Sequence, residues 1–132
     1  MMTKHYGLLL AAGLLGYTSV AFAAGRSEAQ RDVEGYAVAT CLVAQDQPYL
    51  KEQGYGWGET IVQGRGRDPV MLAPVRAAVT AALAKGDMPV ARDEGNPQQG
   101  KALPVLYCGE IIDKPGVRAA ITKVLAKLGN GR

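Results

Sequence analysis

Histidine, serine and cysteine are scarce in this chain. The one histidine is His5, and serine occurs only at Ser19 and Ser27. The two cysteines, Cys41 and Cys108, lie far apart. Neither sits in a C-x-x-C or C-x-x-C-H setting, so thiol-redox and haem-attachment readings lack their motif. No D-x-D-x-D-G calcium loop is present. Charge of one sign is lacking too. Fifteen Lys and Arg stand against 12 Asp and Glu, a formal net charge of +3, with no basic stripe. That balance argues against a nucleic-acid partner.

The beginning of the chain removes more. Met1 to Tyr6 carry Lys4 and His5, Gly7 to Val20 is almost unbroken apolar sequence, and Ala21-Phe22-Ala23 follows. Small residues at 21 and 23 are what a signal peptidase reads, so residues 1–23 are predicted to be a secretory signal peptide. The apolar run is shorter than the roughly 20 residues a membrane span needs. The expectation is therefore a bacterial periplasmic protein with no membrane insertion after cleavage. Residues 24–132 amount to one domain. Loss of Lys4 lowers the net charge to +2.

In an oxidising compartment an even pair of cysteines predicts one disulfide, Cys41–Cys108, against the alternative of two separate buried thiols. With His5 removed and both cysteines bonded, Ser-His and Cys-His catalysis lose their parts, and zinc loses its ligands. No metal or cofactor is expected, and no enzyme. What remains chemically is a carboxylate pair of the glycosidase kind. The adjacent Asp93 and Glu94 read instead as solvated loop charges.

The helical signals are clearer. Ser27-x-x-Gln30 resembles a capping box, and Val33, Ala37, Cys41 and Ala44 then repeat on one face. Leu50, Gly54, Trp57 and Ile61 suit a second helix, which Gly54, Gly56 and Gly58 weaken by about 1 kcal/mol each relative to alanine. Trp57 is read as a core residue. Asp68-Pro69 marks a helix start, Val70, Val75, Val79, Ala82 and Leu83 continue it, and Gly86 stops it. Pro74 predicts a kink there, or a helix proper that begins near Ala73. Leu103, Leu106, Tyr107 and Ile111 form a short face that carries Cys108. After Lys114-Pro115, the residues Val117, Ile121, Val124, Leu125 and Leu128 make the most regular amphipathic helix. The expected fold is all-α: one small domain of four to five helices with one disulfide.

Between the third helix and the second cysteine lies Asp87 to Lys101, rich in proline, glycine and polar residues. Fifteen residues is near the limit for a structureless loop in a compact domain, and such loops are often functional. A short strand around Met88 to Ala91 is the only regular element predicted there.

Two segments carry a resemblance. Tyr36-Ala37-Val38-Ala39-Thr40-Cys41-Leu42 is similar to the first-helix signature of the type VI secretion amidase immunity proteins, and Leu103-Pro104-Val105-Leu106-Tyr107-Cys108 resembles that family's second cysteine helix. The similarity covers about Tyr36 to Leu125. It implies a periplasmic helical protein, a homodimer, that binds a cognate amidase effector and blocks its active-site cleft with a loop. The loop implied by element order is Asp87 to Lys101, with Asp87, Arg92, Asp93, Glu94, Asn96 and Gln98 as contact residues. Where the family shows an aromatic cluster, this chain has Tyr55-Gly56-Trp57-Gly58. Other readings are a periplasmic stress chaperone or structural module, and a small carboxylate-dependent cell-wall enzyme.

Overall fold

The computed structural model describes residues 25–131, so the signal-peptide expectation lies outside the described residues. Five helices form: α1 (Glu28–Val43), α2 (Pro48–Glu59), α3 (Pro69–Leu83), α4 (Pro104–Glu110) and α5 (Pro115–Asn130). A π-helical turn, Thr60–Gly64, continues α2, and a 3-10 turn, Ile111–Asp113, joins α4 to α5. Four of the five helices begin at a proline. At that position the missing N–H removes no helical bond, and the fixed φ already suits a helix. Ser27 caps α1 by accepting from Gln30 N at 3.1 Å. Gln30 completes no reciprocal box; its side chain donates to Glu34 instead. Asp68 caps α3 through Val70 N at 2.8 Å.

Helix α1 runs through the middle, with α2, α3, α4 and α5 around it, while α3 and α5 also pack together. Val33, Ala37 and Cys41 meet Ile61, Leu72, Val75, Val79, Ile111, Val117, Ile121 and Val124 in one buried cluster. Fully burying an aliphatic side chain of this kind stabilises by roughly 1.5–3 kcal/mol. This fixes where the helices sit. The α1–α2 crossing is set by glycine. A Cβ at Gly54 would meet the α1 backbone at Ala39 O and Val43 N, 2.7 Å away.

Five expectations are corrected. Trp57 is not core: its indole lies against Gly35 of α1 and stays 42 % exposed. Ala44 falls past the end of α1 and faces solvent, as does Val70 in the first turn of α3. Helix α3 also runs unbroken from Pro69 through Pro74 rather than starting near Ala73. Finally, the 87–101 segment is not a loop. It holds an antiparallel hairpin, β1 (Val90–Asp93) with β2 (Asn96–Ala102). The hairpin packs neither face on the core, so no alternation of apolar and polar residues marked its strands. The chain remains a mostly helical small domain with this one addition.

Candidate functional site

The hairpin stands off the helical body. Every described side chain from Val90 to Ala102 is exposed except the half-buried Ala91, and contacts outside the two strands are sparse. Its register pairs Val90 with Ala102, Ala91 with Lys101 and Arg92 with Gly100, then jumps to Asp93 with Asn96. Residues 97–99 therefore bulge out of β2, a device that re-aims side chains near a strand's end. At the tip, Asp93 accepts from Gly95 N at 2.9 Å and closes the turn. Lower down, Val90 crosses over Gly100, where any Cβ would overlap its methyl group.

The foot of the hairpin is fixed on both strands. Leu103 N donates to Pro89 O at 3.0 Å. On the incoming side, Asp87 forms an ion pair with Lys114 and accepts from the Tyr107 hydroxyl at 3.1 Å. The Lys114 ammonium lies 5.5 Å from the Tyr107 ring centre. Hydrogen bonding to Lys114 holds the Asp87 carboxyl below its usual range, and Asp87 in turn raises Lys114. Burial, then Asp87, push the Tyr107 hydroxyl up. Next to Tyr107 in α4, Cys108 is bonded to Cys41 of α1, with 5.4 Å between Cα atoms. Gln45 covers the pair, donating to Cys41 O at 2.9 Å. Closing a loop of 67 residues constrains the unfolded chain by about 4 kcal/mol in the chain-entropy model. The helix that carries the outgoing strand is thus tied to the centre of the core.

Of the six residues expected to contact a partner, the structure brings five together. Arg92, Asp93, Glu94, Asn96 and Gln98 all lie on the outer half of the hairpin and all are exposed. Asp87 is separate from them, engaged at the foot with Tyr107 and Lys114. Its part is to hold the hairpin's base.

Two buried carboxylates escaped the sequence reading. Asp32 is fully buried, and Arg65 and Arg67 of the Gly64-Arg65-Gly66-Arg67 loop both bind it, Arg67 at 2.7 Å. Burial pushes its carboxyl up, but the hydrogen bonds from Arg67 and Arg65 outweigh that and hold it low. Glu34, also buried, accepts from Arg26 at 2.7 Å, Arg118 at 3.0 Å and Gln30 at 3.1 Å. The same balance keeps it low, with burial opposed by Gln30, Arg26 and Arg118. Both carboxylates are occupied by arginine. Acids within a helix ordinarily face water, so nothing in the residue pattern marks this arrangement beyond the arginines of the glycine loop.

Among the described residues no group of three or more His, Cys, Asp or Glu gathers as a metal site. No described helix is long and apolar enough to cross a membrane. No family model, curated protein or solved structure matches the chain. The fold and this geometry define a class only: a disulfide-pinned helical domain that presents a polar hairpin.

Proposed function

We propose that this chain is a periplasmic immunity protein that binds a type VI secreted peptidoglycan amidase and blocks its active-site cleft with the hairpin. The observation that carries this reading is the exposed 90–102 hairpin, fixed at its foot by Asp87 and by the disulfide-tied α4. A prong held in one conformation loses less entropy on docking than a free loop does. Its exposed end offers donors and acceptors of both charge signs, from Arg92, Asp93, Glu94, Asn96 and Gln98, suited to a polar peptide-binding cleft. Supporting this are the signal-like leader, the disulfide expected of an oxidising compartment, and the resemblance at Tyr36–Leu42 and Leu103–Cys108. The same resemblance implies a homodimer.

The test is co-purification with candidate type VI amidases, followed by a cell-wall hydrolysis assay. The expected result is a stable complex in which hydrolysis stops. If no amidase binds, the immunity reading is lost.

A further inference from the structure

Helix α2 carries glycines at 54, 56 and 58, each unfavourable in a helix interior by about 1 kcal/mol. Gly54 is demanded by the α1 backbone. Gly58 is not. Its φ is negative, and a Cβ built on it meets no atom within 4 Å. Gly56 is equally free and nothing in the structure explains it. Gly58 differs because it borders a cavity of about 440 Å³ between α1, α2, the π turn and the start of α3. That volume falls in the range of small-molecule sites. Its walls are mainly apolar, with Ala39 and Val43 from α1 and Val62 from the π turn.

One cation lines this cavity, Arg76. Its guanidinium is held by the Tyr36 hydroxyl, which accepts from both Nε (3.0 Å) and Nη2, and it lies 5.7 Å from the ring centre. Arg26, Arg65, Arg67 and Arg118 all bind carboxylates. Arg76 has no carboxylate partner among the described residues. Its Nη1 hydrogens make no bond there either, which leaves part of its fork free for a planar anion. Glu59 is the one acid of the lining, so Arg76 is the only lining group that can pair with an anion.

We propose that this groove binds a small ligand with an apolar chain ending in a carboxylate. The head pairs with Arg76, and the chain lies along Ala39, Val43 and Val62 in the space that Gly58 leaves open. The site is separate from the hairpin and does not depend on amidase binding.

Decanoate titrated into the protein by calorimetry tests this, with decanol as the neutral control. One-to-one, saturable binding is expected, weaker for decanol. Arg76→Gln should weaken decanoate by about tenfold or more, since a hydrogen-bonded charge is lost. Gly58→Leu should fill the groove and abolish binding. Its circular dichroism and melting temperature should be kept or improved, because leucine favours helix. Absence of saturable decanoate binding overturns the proposal. So does unchanged decanoate binding in Gly58→Leu. If Gly58→Leu changes only self-association in sedimentation, a second copy covers the groove and the proposal also falls.

Discussion

Two pairs of acids in this molecule meet opposite fates. Asp32 and Glu34 in α1 are buried and surrounded by arginines, whereas Asp93 and Glu94 at the hairpin tip face water. The first pair holds the body together: Asp32 fastens the glycine-arginine loop, and Glu34 joins Arg26, ahead of α1, to Arg118 of α5. The second pair holds little beyond the turn made by Asp93. The buried charge of α1 is structural, and Arg92 and Glu94 of the hairpin form no ion pair among the described residues. Substitutions at Asp32 and Glu34 should therefore lower stability, while substitutions on the outer hairpin should leave stability alone and alter only binding.

The largest effect is expected at the disulfide that joins the two regions. Cys41→Ala should destabilise the protein by about 4 kcal/mol, seen as a lower melting temperature in oxidising buffer. An unchanged melting temperature would show that the bond contributes nothing. Next, Asp32→Ala leaves two arginines facing an emptied buried site. Partner loss in a buried ion pair costs 3–5 kcal/mol. Arg65 and Arg67 are partly exposed and turn toward water, so a value near the lower end, about 3 kcal/mol, is expected in urea unfolding.

Acid should act on the same groups. Asp32 and Glu34 have lowered carboxyl pKa values when folded, so they contribute stability above the ordinary carboxylate range. That contribution disappears as pH falls through the folded values. Urea midpoints should decline on acidification, and less steeply in Asp32→Ala; parallel profiles would remove Asp32 from the explanation. Gly100→Val should disturb the hairpin alone, because its side chain overlaps Val90. Faster amide exchange confined to 90–102 is the expected sign, and exchange spread through the helices would contradict it. Smallest of all, Arg92→Ala and Glu94→Ala should shift stability by no more than about 0.5 kcal/mol.

The same division between body and hairpin explains what could be read from the sequence. Helix α5 was legible because Val117, Ile121 and Val124 bury one face and repeat at helical spacing. The Cys41–Cys108 bond was legible from the even cysteine count and the expected oxidising compartment. Trp57 misled because size and apolarity favour burial, yet Gly35 offers only a shallow seat. Its reading depended on a neighbour in another helix. Val70 misled because the α3 face starts to bury only at Leu72. The hairpin strands left no periodic trace, since neither of their faces packs on a core. Its polar outer residues adjoin in the chain and so lie together in space, whereas Asp87 sits apart because its partners Tyr107 and Lys114 lie 20 and 27 residues away. The Arg76 groove was invisible because four separate segments enclose it.

The hairpin is the proposed binding element. The most direct measurement compares the intact protein with a variant lacking Asn96 to Gly100, in an amidase hydrolysis assay with melting curves run alongside. The variant should melt like the parent and fail to bind or inhibit, since the removed strand holds no core residue. Full inhibition by the variant would contradict the claim and move the interface to another face of the molecule.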